Sequence, residues 1–153
     1  YPEGDRTFYS VGRGGRYGLG ISEEDYASCS NREILVILQV EEMEGIQNLD
    51  EILKVPGVDA VQIGPKDLWQ SMGMPDRSEV WEVVDQAIGL IAASGKWPAM
   101  VAWLDDRFQD QLVRYKAQNV SMITVSPREM LFYGAMEVFR AASNVYDWRN
   151  SKR

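Results

Sequence analysis

From residue 34 onward, apolar and polar positions in this chain follow a repeating pattern. ILVILQV (34–40) is almost wholly apolar and rich in β-branched residues. It suits a strand buried on both faces, as strands of parallel sheets are. Residues 43–54 then place Ile46, Leu49 and Leu53 at helical spacing, and Pro56-Gly57 ends the run. VDAVQIG (58–64) predicts a second strand, with a short turn or helix over 67–72. A longer helix is predicted over 79–94, where Val80, Val83, Val84, Ala87, Ile88 and Ile91 form one stripe. Ser78 is its expected cap, Glu79 and Glu82 suit its positive end, and Gly95 stops it. PAMVAW (98–103) predicts a third strand, and the helix over 105–118 turns Phe108, Leu112 and Tyr115 inward. MITVS (122–126) is the fourth strand. The last helix, over 128–143, presents Leu131, Ala135, Val138, Phe139 and Ala142 on one face.

Strand and helix therefore alternate four times, the mark of an α/β chain with a parallel sheet. Residues 1–33 read as a loop-rich opening segment, with a short helix within 22–31 capped by Ser22. Residues 144–153 form a polar tail carrying two aromatics. Two arrangements fit: a small open doubly wound sheet, or part of a (β/α)8 barrel. A complete barrel takes about 250 residues, so four βα units are half of one. Four parallel strands alone would leave two unpaired sheet edges. Length and pattern together predict a fragment of a barrel, or a chain completed by a partner.

Composition narrows the chemistry. A net charge of -7 argues against a nucleic-acid partner. No apolar run approaches the roughly 18 residues that span a bilayer. The first residue is Tyr rather than Met, so the natural N-terminus is expected upstream. The single cysteine, Cys29, fits a reducing cytoplasm. It reads as a bystander rather than a nucleophile, because the chain has no histidine to activate it. The same absence excludes imidazole acid–base work, His-based metal sites and Ser-His-Asp triads within this chain. GRGGRYG (12–18) lacks the spacing of a dinucleotide fingerprint, and one short copy in an acidic protein is a poor RNA-binding segment. It reads as a mobile loop, with Arg6 and Arg13 either binding an anionic substrate or simply solvated.

In parallel α/β sheets, function collects at the C-terminal ends of the strands. Glu41 directly follows the first strand, and Asp67 follows the second by three residues. Two carboxylates converging on one point repel unless a cation lies between them. A hard divalent ion such as Mg2+ or Mn2+ suits such a pair. Gln39 shares the side of its strand with Glu41 by the period of two. The plainer alternative makes Glu41 a first-turn helix acid and Asp67 an N-cap. Gly64-Pro65 either lets the backbone and the amides of Lys66 and Asp67 approach a ligand carboxylate, or is an ordinary turn.

These motifs resemble the HpcH/HpaI aldolase family of pyruvate-dependent class II aldolases, from Tyr1 to about residue 143. YPEGDRTFYSVGRGGRYG is similar to the family's Tyr-Pro-Pro-x-Gly-x-Arg loop, with Glu3 in place of the second proline. NREILVILQVEEMEGIQNLDEIL holds a Gln-x-Glu metal motif. VPGVDAVQIGPKDLWQSMG matches Ile-Gly-Pro-x-Asp-Leu-x-x-x-Met-Gly, with Trp69 where serine is common. Ser126 and Arg128 stand where the family usually has Gly and Asp.

The resemblance implies a (β/α)8 barrel of which this chain supplies the C-terminal half, strands five to eight. It implies that Glu41 and Asp67 bind a divalent metal (Mg2+, Mn2+ or Co2+), and that Gln39 lies beside pyruvate. The backbone from Gly64 through Pro65 and Lys66 to Asp67 would cradle the substrate carboxylate. Arg6 joins Gln39 as a candidate catalytic residue. The implied reaction cleaves or forms a 4-hydroxy-2-oxo or 2-keto-3-deoxy acid, giving pyruvate and an aldehyde through a metal-stabilised enolate. The family's histidine and keto-contacting arginine belong to the first half of the barrel. The alternative is therefore a catalytically incomplete half-barrel or assembly module, and a third reading is a synthase or decarboxylase acting on the same enolate. Expected partners are a small 2-oxo acid and an aldehyde in a homo-oligomer, with dimers that build hexamers, and neither nucleic acid nor membrane.

Overall fold

A computed structural model of the chain describes residues 8–145. Its residues fall into two compact units, one ending at Val36 and the other beginning at Ile37. Arg6 lies outside the described residues, as do most of the tail over 144–153 and its two aromatics.

In the first unit, helix α1 (Glu23–Glu33) starts at Ser22, whose hydroxyl accepts from the Asp25 N–H at 3.0 Å. This is the expected cap, and Glu23, Glu24 and Asp25 favour the same positive end. The preceding loop folds onto the helix. Ser10 donates to Glu23 Oε1 at 2.9 Å, and the Phe8 and Tyr26 rings lie 5.8 Å apart. The glycine-rich stretch turns tightly: a Cβ at Gly15 would fall 1.7 Å from the Ser10 carbonyl oxygen. Arg16 and Tyr17 adopt positive φ (51° and 59°) in a short 3-10 turn, Arg16–Gly18.

The second unit is a four-stranded parallel sheet in the order β1-β2-β3-β4, formed by Ile37–Val40, Ala60–Ile63, Trp97–Val101 and Met122–Thr124. The order never reverses. A doubly wound sheet reverses at its switch point, whereas each strand of a barrel neighbours the next. The first strand is shorter than predicted. Residues 34–36 stand before it and are exposed, because β2 offers pairing partners only from Ala60, which faces Ile37.

The helix expected over 43–54 is two short helices, α2 (Met43–Gln47) and α3 (Leu49–Leu53). Asn48 interrupts them with ψ of 10°, and its side-chain amide donates to the Glu44 carbonyl at 2.8 Å. Such local side-chain bonds compete with the helical ladder. Lys96 closes the next turn by donating to the Val58 carbonyl at 2.7 Å.

Helix α4 (Pro65–Ser71) starts directly after β2, with Pro65 in the first turn where its missing N–H costs nothing. Helix α5 (Arg77–Ala93) begins two residues earlier than expected. Asp76 rather than Ser78 occupies the N-cap, without a side-chain cap bond. Its stripe is the core as predicted: Val80, Val84, Ala87, Ile88 and Ile91 are buried, and Val83 packs partly against them. They meet Val61, Ile63 and Met100 on one face of the sheet. Each large side chain of this kind contributes about 1.5–3 kcal/mol of transfer free energy.

Helix α6 (Phe108–Ala117) buries Tyr115 completely, and the Tyr115 hydroxyl donates to the Val101 carbonyl at 2.8 Å. Burial pushes this phenol up to about 12. Helix α7 (Pro127–Val145) forms where it is expected. Its apolar face is exposed: Leu131, Val138 and Phe139 are 77%, 72% and 62% exposed. The stripe is helical in spacing, but nothing among the described residues covers it. Among the described residues no helix is long and apolar enough to cross a membrane.

Candidate functional site

The strand register decides which side chains meet. Gln39 on β1 pairs with Gln62 on β2, which pairs with Ala99 on β3. By strand alternation these share the face opposite the helix-covered core. On this face Thr124 donates to Gln62 Oε1 at 2.8 Å across β3. The polar row Gln39–Gln62–Thr124 is thus built into the sheet, and of its members only Gln39 stood out in the sequence.

Glu41 follows β1 and precedes α2, whose N-cap is Glu42. It is not a first-turn helix acid. Its half-buried side chain turns toward the end of β2, and Gln39 Nε2 donates to Glu41 Oε2 at 2.5 Å. Gly64 completes the contact. A Cβ there would lie 2.8 Å from Glu41 Cβ, 2.9 Å from Glu41 Oε2 and 3.3 Å from Gln39 Nε2. The Gly64 N–H donates to the Val40 carbonyl at 2.9 Å, which fixes this approach. Gly64 has φ of -101°, a value any residue adopts. Glycine is needed here for space and not for conformation. Gln39 and Glu41 also line an open groove of about 440 Å³ with Glu42, Glu44 and Asn48.

Asp67 is not an N-cap either. Gly64 occupies that position, and Asp67 lies exposed in the first turn of α4. Among the described residues no hydrogen bond or ion pair ties it down. The same residues contain no group of three or more His, Cys, Asp or Glu able to hold a metal. The sequence expectation leaves Glu41 and Asp67 as the donors to a cation, although Asp67 does not line the groove at Glu41. That donor set fits Mg2+ or Mn2+, which take one or two carboxylates and complete their shell with substrate and water oxygens. The missing side chain at Gly64 is what lets Glu41 and Gln39 pack directly against the end of β2.

Pro65 is buried and Lys66 exposed. Both Pro65 and Lys66 also line a second cleft, formed with Arg77, Trp81 and Trp103. The Trp69 indole is occupied elsewhere: its N–H donates to the Pro75 carbonyl at 2.8 Å, and the Arg77 guanidinium stacks on the ring at 3.9 Å. Arg13 is exposed in the first unit. Cys29 hydrogen-bonds Glu33, which holds its thiol above the ordinary value, and the reactive thiolate is correspondingly disfavoured.

Comparison with known proteins identifies the family. The family model described as HpcH/HpaI aldolase/citrate lyase matches residues 3–121. The chain is 34% identical to the 2-keto-3-deoxy-L-rhamnonate aldolase of Escherichia coli (strain K12), over 94% of this chain and 54% of that protein. It thus spans about half the length of the curated relatives it matches. Among solved structures, citrate synthase SbnG superposes with a TM-score of 0.67 at 25% identity, covering 81% of this chain and 51% of its own. A HpcH/HpaI aldolase/citrate lyase family protein from Burkholderia cenocepacia J2315 gives 0.77 at 22%, with 93% and 54% covered, and so bears on the fold alone. On the residues matched and the identity to curated relatives, this chain belongs to the HpcH/HpaI aldolase/citrate lyase family.

Proposed function

We propose that this chain carries the cation- and 2-oxo-acid-binding half of a metal-dependent aldolase, and that it forms the arc of strands five to eight in a (β/α)8 barrel. The observation that carries the proposal is the meeting of Gln39, Glu41 and Gly64 at the adjacent ends of β1 and β2, with Asp67 one helical turn away. Glu41 and Asp67 would hold Mg2+, Mn2+ or Co2+. When bound, such an ion supplies Lewis acidity toward the carboxylate and ketone oxygens of pyruvate.

The remaining work falls to the chain's own groups. Gly64 lets the Glu41 carboxylate rest against the end of β2. The amides of Lys66 and Asp67 are in the first turn of α4, where N–H groups lack helical partners and can donate to a substrate carboxylate. Gln39 orients Glu41 through its amide and keeps its own carbonyl oxygen for a donor. The chain contains no histidine, so a general base of that type would come from other parts of the full enzyme. The aldehyde product is set by the same missing surroundings, and the homo-oligomeric state and cytoplasmic location remain part of the proposal.

The test is proton exchange at the pyruvate methyl group in D2O, followed by NMR. Mg2+-dependent loss of the methyl signal, abolished in Glu41→Gln, supports the reading. Exchange at the same rate in the variant rejects it. The 25% identity to citrate synthase SbnG favours a second reading, carbon–carbon bond formation on the same enolate. Incubation with oxaloacetate and identification of the products separates condensation from cleavage.

A further inference from the structure

Two hydrogen bonds tie the start and the end of α4 to the segment that leaves β1. At the start, the Gly64 N–H donates to the Val40 carbonyl at 2.9 Å. At the end, the Met43 N–H donates to the Ser71 hydroxyl oxygen at 2.9 Å, across 28 residues of sequence. Residues 40–43 and 64–71 are thereby joined at both ends, and each stretch carries one of the two carboxylates, Glu41 and Asp67.

The second bond is not a local cap. Met43 is the first residue of α2, and its N–H is one of those that find no partner inside a helix. Glu42, at the N-cap, makes no side-chain cap bond. The acceptor comes instead from the last residue of α4. Ser71 follows Asp67 by four residues, so the two share one face of α4, and the bond sets that face against the start of α2. The other side of α4 is held separately, by the Trp69 N–H on the Pro75 carbonyl at 2.8 Å. Ser71 is exposed, so water satisfies the Met43 N–H when the hydroxyl is removed. What is lost with the hydroxyl is the link between the two stretches.

We propose that Ser71 is a positioning residue for the cation site, its hydroxyl fixing the turn of Glu41 relative to the turn of Asp67. The inference rests on the reading of those two carboxylates as cation ligands. Mg2+ and ions like it demand near-ideal placement of their oxygens, so a pair held in advance binds better than a loose one.

The test is Mn2+ titration of the full chain, read from the electron paramagnetic resonance signal of the free ion, beside urea unfolding. Ser71→Ala is expected to bind Mn2+ about tenfold more weakly, the size of one lost hydrogen bond, with little change in the unfolding midpoint. Ser71→Thr keeps the hydroxyl and binds as wild type does. Ser71→Val, which matches threonine in shape without the hydroxyl, repeats the loss should the alanine variant fold poorly. Ser94→Ala removes a hydroxyl that donates to the Ile91 carbonyl at the end of α5, and leaves the affinity unchanged. Wild-type affinity in Ser71→Ala and Ser71→Val overturns this inference and leaves Glu41 and Asp67 as ligands. Equal weakening in Ser71→Thr or in Ser94→Ala overturns it as well. Absence of saturable Mn2+ binding in the wild type, or unchanged binding in Glu41→Gln, overturns the cation site itself and this inference with it.

Discussion

Gly64→Ala is the most informative single perturbation of the strand-end site. The new methyl would meet Glu41 Cβ at 2.8 Å and Glu41 Oε2 at 2.9 Å. Carbon atoms rest at about 3.5–4.0 Å, so the overlap with Glu41 Cβ is roughly 0.7 Å or more. That atom is attached to the backbone and cannot swing away as a side-chain end does. The turn after β1 must shift, and Glu41 and Gln39 move with it. The backbone angle of Gly64 suits alanine, so no conformational strain is added. Overpacking of this size costs about 1–3 kcal/mol. A displacement near 1 Å in a binding constellation lowers productive binding by about 100-fold. Urea unfolding should therefore show a modest loss, while pyruvate binding in the presence of Mg2+ falls steeply. Glu41→Gly removes the colliding Cβ, so in that background the stability cost of Gly64→Ala should shrink. A Gly64→Ala chain that binds pyruvate like wild type would refute the dependence of binding on the position of Glu41 and Gln39.

Three further outcomes follow from the scaffold. Absorbance titration of the tyrosines should show one phenol ionising at about 12, assigned by its loss in Tyr115→Phe. Because its folded pKa lies above the ordinary value near 10, its contribution to stability is complete below about pH 10 and lost as pH rises toward 12. Ile91→Ala, at a fully buried position on α5, should lower unfolding free energy by about 2–5 kcal/mol in urea titration. Ser22→Ala should cost about 1 kcal/mol through loss of its bond to the Asp25 N–H, read as earlier fraying of α1 by amide hydrogen exchange.

The sequence carried the alternation of strands and helices because each buried stripe is local. Val80 through Ile91 repeat at helical spacing whatever they pack against. The cap at Ser22 and the stop at Gly95, with φ of 81°, were legible for the same reason. Gln39 and Glu41 were legible on one side of β1 by the period of two, and the ends of β1 and β2 as neighbours, because parallel strands in register bring their ends together. Three features were not legible. The break at Asn48 depends on a side-chain bond that competes with a helical pattern otherwise intact. The exposure of α7 depends on what surrounds the helix, and an apolar stripe does not name its cover. The Trp81–Trp103 cleft joins residues from separate loops. Its local signal was Arg77 and Trp81 one turn apart on α5, which alone reads as an ordinary amphipathic start.

The central claim is that Glu41 and Asp67 share one cation, and that pyruvate binds only with it. The direct measurement is calorimetric titration of pyruvate into the chain with and without Mg2+, repeated for Glu41→Gln and Asp67→Asn. The prediction is Mg2+-dependent binding in the wild type, lost in either variant while both remain folded by circular dichroism. Binding that persists in both variants, or that needs no divalent ion, contradicts the assignment.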